Sequence, residues 1–367
     1  MKEVLTFLDV LVIGGGPAGC AAALALLNQT SLNVGIVEST DYTNMRIGES
    51  VSPSMMDEMR YLGVEKEFLG TNPIPSHGID AAWGTSKILS RDFFFSGHGN
   101  GWNLDRNKFD LMLMDAVKKR KGKLLTSSKI HSSEKKGKNW QFVIRKDNET
   151  SIDLEAKFVI DASGKNASFA RDLGTKWQVL DNLVGVACVY LIENDLNEKL
   201  YTLVESVSNG WWYSSMIPNN KRIVVFMTDS DISALLKLQY QKNWDTLLKK
   251  TLHIQKTISD EKRISGPNIF AAYSQVIEKA DFSGWIPAGD AAASFDPLSS
   301  IGIGHALVSG SHCAVIAENV LHSDGRLMLE YLNGISKNFE RYLQNRRHFY
   351  NFEKRWTDEP FWKRRLG

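Results

Sequence analysis

Six residues near the start, Gly14-Gly15-Gly16-Pro17-Ala18-Gly19, have the spacing G-x-G-x-x-G. Glycines so placed let the backbone turn tightly and come close to a pyrophosphate, with the N–H groups of a helix start facing the negative charge. Gly14, Gly16, Pro17, Ala18 and Gly19 are the candidate contacts. Far downstream, Trp285–Asp290 reads WIPAGD, a short apolar strand ending in a carboxylate that can accept hydrogen bonds from polyol hydroxyls. A third stretch, Asn209–Asn220, reads NGWWYSSMIPNN. It supplies aromatic rings that form either a core or the wall of a site.

Each of these needs elements to hold it. Leu11–Ile13 reads as a buried strand, Cys20–Leu27 as an apolar helix, and Val34–Val37 as a second strand ending in Glu38. Strand, glycine turn, helix, strand and acid make the nucleotide-binding unit. Glu38, 19 residues after Gly19, suits a ribose 2′-OH and would repel a 2′-phosphate. Phe158–Gly164, FVIDASG, reads as another strand of that sheet. After WIPAGD comes AAASFDPLSSIGIGHAL, in which Pro297 breaks the chain, Ser299 and Ser300 can cap, and Gly302–Gly304 open an apolar helix. A helix start there would stabilise negative charge on the pyrimidine edge of a reduced flavin. Asp290, Pro297, Ser300, Gly302 and Ile303 are therefore candidate FAD contacts. A single dinucleotide fingerprint leaves no separate NAD(P)H domain.

With 367 residues, two or three domains are expected, and a net charge of +2 gives no electrostatic case for nucleic acid. Three scattered cysteines, without a Cys/His cluster, argue against a metal site or a disulfide framework. The apolar run Val10–Leu27 mimics a membrane span, but three consecutive glycines interrupt it. The expectation is no targeting segment, no span, no metal and a reducing cytoplasm.

GGGPAG, RIGES (Arg46–Ser50), GWNLDRNKFD (Gly101–Asp110), DASG and GDAAASFDPLSSIG together resemble the flavin-dependent halogenase and aromatic monooxygenase superfamily. The resemblance runs from near Leu8 to the C-terminus. It implies a two-domain α/β (α+β) chain: a Rossmann-like FAD domain of the p-hydroxybenzoate hydroxylase type, an inserted and largely antiparallel β substrate domain, and C-terminal helices. FAD-binding parts are expected at 1–75, 101–175 and 281–335, with substrate-side strands at 76–100, a substrate domain at 176–280 and a helical tail at 336–367. By the same resemblance Arg46, Glu49, Ser50 and Arg106 lie beside the flavin. GWWYS, SHGIDAAWG and EKRWTDEPFWKRR are similar to a narrower group, the flavoproteins that accompany cysteine tryptophylquinone amino-acid oxidases. Those flavoproteins oxygenate a tryptophan of their partner. The resemblance thus implies a C4a-hydroperoxide of FAD formed with O2, electrons from NAD(P)H or a flavin reductase, and the precursor of a quinone-cofactor oxidase as protein substrate.

Halogenases of the superfamily carry W-x-W-x-I-P and a lysine that handles hypohalous acid. Here Tyr213 and Ser215 replace both tryptophans, and no lysine stands between Asn72 and Ala82, where His77 lies instead. These departures favour oxygenation, with His77, Trp211 and Tyr213 as catalytic candidates. Halogenation or hydroxylation of a small aromatic, reduction of a geranylgeranyl chain, and a non-catalytic FAD-binding maturation chaperone remain the alternatives.

Leu183–Ile192, Leu200–Val207, Trp211–Ile217 and Arg222–Thr228 read as strands of the inserted sheet, and Ser233–Lys256 reads as helix. Alternation sends Trp211, Tyr213 and Ser215 to one face and Trp212, Ser214 and Met216 to the other. The basic, aromatic tail Arg341–Gly367 reads as helix packed on the FAD domain, its charges solvated or facing an acidic partner.

Overall fold

The computed structural model describes residues 2–94, 97–146, 150–192, 199–258, 261–278 and 280–366, with side chains 2–5 and 150 outside the description. The nucleotide-binding unit forms around a parallel core of strands in the order Lys123–Leu125, Val34–Val37, Lys2–Ile13, Thr150–Asp161 and Trp285–Pro287. An antiparallel pair, Asn139–Lys146 and Ser128–Lys136, extends the sheet from Thr150–Asp161. Three distant segments of chain thus meet in one sheet. Val34–Val37 and Trp285–Pro287 are apolar and buried along their whole length, as burial on both faces requires, whereas Ser128–Lys136 at the antiparallel edge is largely exposed.

The helix Pro17–Gln29 starts with Pro at its first position, where a missing N–H costs nothing, and every residue from Ala18 to Leu26 is buried. It packs against the helix Gly302–Leu321 so closely that a Cβ on Gly310 would lie 2.1 Å from the Ala18 carbonyl oxygen. At Gly19 a Cβ would lie 1.9 Å from the Gly14 carbonyl oxygen. Gly19→Ala should therefore push the helix off the turn, cost ~1–3 kcal/mol as overpacking does, and weaken FAD retention. Thermal unfolding and flavin content of the purified variant check this; an unchanged Tm would refute the contact.

The inserted sheet has the order Lys262–Ala271, Leu183–Leu191, Lys221–Asp229, Gly210–Ile217, Tyr201–Val207, Gly78–Ala82 and Leu89–Asp92. All its pairings are antiparallel except that between Tyr201–Val207 and Gly78–Ala82. The turn at 218–220 carries Asn219 and Asn220 at positive φ, a conformation that asparagine tolerates. The alternation along Gly210–Ile217 is observed: Trp211 and Tyr213 join one apolar cluster, while Trp212 stacks on Phe226 at 4.7 Å in another.

The expected helix Ser233–Lys256 is instead three pieces: Ser230–Leu235, Gln241–Leu248 and a 3-10 turn Ile254–Ile258. Lys237 adopts φ +52, which ends the first piece. The third is capped from outside by the buried Glu205, whose carboxylate accepts from the N–H groups of Leu252, His253 and Ile254. No local pattern announces a cap donated from 47 residues away.

The long helix Arg326–Asn351 places Ile335, Phe339 and Tyr342 in the core of the FAD domain. The tail beyond it differs from expectation. Tyr350, Phe361 and Trp362 pack on the inserted sheet with Trp211 and Val225, and the Trp362 indole N–H donates to the Val207 carbonyl. Arg365 is buried and pairs with Asp229 at 2.6 Å. Part of the tail's basic charge is therefore consumed inside the molecule.

Candidate functional site

The segment Arg46–Ser50 lies between the two domains and organises the site. Arg106, in the first turn of the helix Arg106–Lys119, holds the carbonyls of Ile47 and Gly48 and pairs with Asp110 at 3.1 Å. Arg46 pairs with the same Asp110 at 2.6 Å and donates to the Thr40 hydroxyl. Asp110 is fully buried and bridges both guanidinium groups. It was not among the sequence candidates, although the i,i+4 spacing from Arg106 was its signal. Asp105 is not Arg106's partner; it caps the helix by accepting from the Lys108 N–H.

Glu38 ends its strand buried, accepting from the Gly15 N–H at 2.7 Å and from the Thr40 N–H and hydroxyl. Its carboxylate therefore fixes the glycine turn as well as carrying charge. Ser50 donates to the Asn103 side-chain oxygen at 2.7 Å and meets the hydroxyls of Thr202 and Ser215. This cluster joins the two domains where a halogenase strand would carry tryptophan in place of Ser215.

Beside it, the Tyr213 hydroxyl donates to Glu49 Oε2 at 3.1 Å, while Glu49 Oε1 is buried with no hydrogen-bond partner among the described residues. Burial pushes the Glu49 carboxyl above its ordinary range, against the pull of the Tyr213 hydrogen bond. Trp211 is buried, and its indole N–H donates to the Tyr350 hydroxyl. It ties the sheet to the tail and shares a ring contact with Tyr213 at 6.2 Å. His77 is not brought to this group. It is exposed, its backbone N–H bonds to the Leu200 carbonyl, and its ring meets the edge of Tyr201. It stands just before the strand Gly78–Ala82, which lies one strand in from the edge of the sheet.

Asp290 sits in the turn Gly289–Ala291 after Trp285–Pro287. Burial raises its carboxyl, and the charges of Lys165 and Arg106 oppose that rise. Lys165, one residue after DASG, was also not anticipated. Its ammonium donates to the Tyr273 carbonyl at 2.8 Å and lies over the Tyr273 ring, and burial lowers its pKa. Ser300 has φ +52 and ends the 3-10 turn Pro297–Ser299, which Asp296 rather than a serine caps at the Leu298 N–H. The helix Gly302–Leu321 then begins without a side-chain cap, as does the helix Pro17–Gln29 at Gly16. Ile303 is buried close to Gly48.

The model of an FAD binding domain matches residues 8–314 of the chain. The chain belongs to the FAD binding domain family. Over 363 residues it is 32% identical to the FAD-dependent oxidoreductase LodB of Marinomonas mediterranea, covering 97% of this chain and 96% of that one. FAD is the cofactor, and the protein is an FAD-dependent oxidoreductase of this family. The myxobacterial chondrochloren halogenase CndH shares the fold with a TM-score of 0.90 at 19% identity, over 98% of this chain and 86% of that one. The peptidyl tryptophan dihydroxylase QhpG shares it with a TM-score of 0.73 at 21% identity, over 99% and 79%.

The residues present fit FAD. A Cβ added at Gly16, Gly302 or Gly304 would meet no protein atom within 4 Å, so the backbone of both uncapped helix starts is open to a ligand. Those starts suit the pyrophosphate and the pyrimidine edge. Arg106→Leu should release Ile47 and Gly48 and weaken FAD binding at least tenfold, read by flavin fluorescence titration. Unaltered affinity would show that Arg106 does not hold the segment for the cofactor. Among the described residues no group of histidine, cysteine and acidic side chains could hold a metal, and no helix is long and apolar enough to cross a membrane.

Proposed function

We propose that this protein is an FAD-dependent monooxygenase that oxygenates a tryptophan side chain of a partner protein, the precursor of a quinone-cofactor amino-acid oxidase. The observation that carries the reading is the Tyr213–Glu49 pair beside Ser215. A buried carboxyl with one committed and one unpartnered oxygen can hold or pass a proton at the substrate ring, and Ser215 puts a small hydroxyl side chain where the halogenase pattern has tryptophan. The fold shared with a peptidyl tryptophan dihydroxylase, described as essential for tryptophylquinone cofactor biogenesis, supports the same reading.

Reduced FAD, once bound, supplies the oxygen-activating chemistry. The glycine turn, Glu38, Arg46, Arg106, Asp290 and the start of the helix Gly302–Leu321 would hold the cofactor. The inserted sheet, sealed by the tail, would exclude water above it. Glu49 Oε1 would take the proton released as the ring is oxygenated, and Tyr213 would fix the carboxyl's orientation. His77 has no part in this scheme.

Purified FAD-loaded protein, given NAD(P)H with a flavin reductase, O2 and the partner precursor, should add oxygen atoms to one partner tryptophan, read by peptide mass spectrometry. Oxygen consumption with no mass gain in the partner would refute the reading. A mass gain that required halide would replace it with halogenation.

A further inference from the structure

A cavity of about 390 Å³ lies between the loop at 295–301 and the helix Arg326–Asn351. That volume is within the range of roughly 300–1,000 Å³ typical of ligand sites. We infer that it is an anchoring subsite for an aromatic side chain, in an acidic segment of the protein substrate. The inference rests on the reading of a protein substrate given above.

The walls include Phe295, Leu298, Tyr342 and Phe349. Among the lining groups is His305, held edge-on against Phe295 at 4.8 Å, with its Nε2 buried and without a partner among the described residues. Burial lowers the imidazole to about 4, so the ring is neutral at physiological pH and one nitrogen can accept. In the tautomer protonated at Nδ1, Nε2 is a buried acceptor without a donor, which is costly, and an indole N–H or a phenol O–H entering among the aromatic walls would satisfy it.

The rim sets the sign of the ligand's charge. Arg346 is committed to Asp181 and Asp296, but the exposed Arg341 has only the Asn338 side chain as hydrogen-bond partner among the described residues. A carboxylate beside the aromatic group would meet that guanidinium. Phe349 and Phe352 continue as exposed apolar surface outside the cavity, at 45% and 55% exposure. Such surface extends beyond what a free aromatic acid would cover and suits a peptide chain. Leu298, Ser299 and Ile301 border this cavity, while Ser300 and Gly302 stand at the FAD helix start. One short loop therefore serves both places, and the anchor would fix a partner next to the flavin while a different residue is oxygenated.

The test uses FAD-loaded protein and three probes: a fluorescein-labelled peptide with one tryptophan between glutamates, the same peptide with alanine for tryptophan, and N-acetyltryptophan. The tryptophan peptide should bind at least tenfold more tightly than either of the others. Arg341→Glu and His305→Phe should each weaken it at least fivefold, with flavin content unchanged for the surface variant Arg341→Glu. Equal binding of the alanine peptide, N-acetyltryptophan binding as tight as the peptide, or unchanged binding by Arg341→Glu would overturn the subsite. If the partner is oxygenated equally well by both variants, the anchor is wrong and the proposed function stands. Peptide binding with the expected losses but no oxygenation of any partner would leave the subsite and remove the function.

Discussion

Asp229→Asn should destabilise the protein by ~3–5 kcal/mol, because it leaves Arg365 as a buried charge without its partner. Asp229 Oδ1 accepts from Arg365 at 2.6 Å, and Oδ2 accepts from Arg365 and Arg364 at 3.1 and 2.8 Å. Both Asp229 and Arg365 side chains are 1% exposed. The guanidinium also lies 3.7 Å from the centre of the Phe361 ring, so it cannot reach water without unseating the tail. An apparent Tm lowered by roughly 5–10 °C is expected for FAD-saturated protein. Trypsin should then cut among residues 353–366 before any other site. Asp229→Leu combined with Arg365→Met should recover most of the loss, since the cost comes from the orphaned charge and not from lost packing. A single variant as stable as the parent would show that the pair does not hold the tail.

Glu49→Gln should lower partner oxygenation by about 10²–10⁴-fold, the usual share of a positioned acid or base, with FAD affinity unchanged. The amide keeps the shape and can still accept from the Tyr213 hydroxyl, but it cannot take a proton. Tyr213→Phe should act differently. The Tyr213 hydrogen bond lowers the Glu49 pKa, so its removal moves the carboxyl further up and shifts the corresponding limb of the pH–rate profile to higher pH. Stability gives an independent reading. Below the ordinary carboxyl range both folded and unfolded chains hold the Glu49 proton. As pH rises from that range through the raised value of the folded state, the unfolded chain releases the proton first, so the native protein loses stability. Glu49→Gln escapes this loss. The Tm of the variant minus that of the parent should therefore increase as pH rises out of the ordinary carboxyl range and level off once the raised value of the folded state is passed; a difference flat in pH would place Glu49 in a solvated setting.

The FAD half of the molecule was legible because its chemistry is local in sequence. The turn Gly14–Gly19, the strand end at Glu38 and the helix start at Gly302 each form within a few residues of chain, so a local pattern is enough to mark them. The face assignment along Gly210–Ile217 followed from alternation alone. What escaped are pairings made by topology. Asp229 and Arg365 stand 136 residues apart, and Glu205 caps a turn 47 residues on. Nothing in either neighbourhood marks these acids as internal. Lys165 carries no local mark either, yet the fold brings its charge to bear on the buried Asp290. His77 shows the opposite case: a plausible residue type near the right segment, left exposed just before the strand Gly78–Ala82.

The tail's seat on the inserted sheet has a consequence for synthesis. Phe361, Trp362 and Arg365, which cover the sheet face bearing Trp211, leave the ribosome after every strand of that sheet. Domains fold broadly in the order they are made, so the sheet must form and wait with that aromatic face uncovered until the tail has followed it. That interval is when the nascent protein most needs shielding from its own copies.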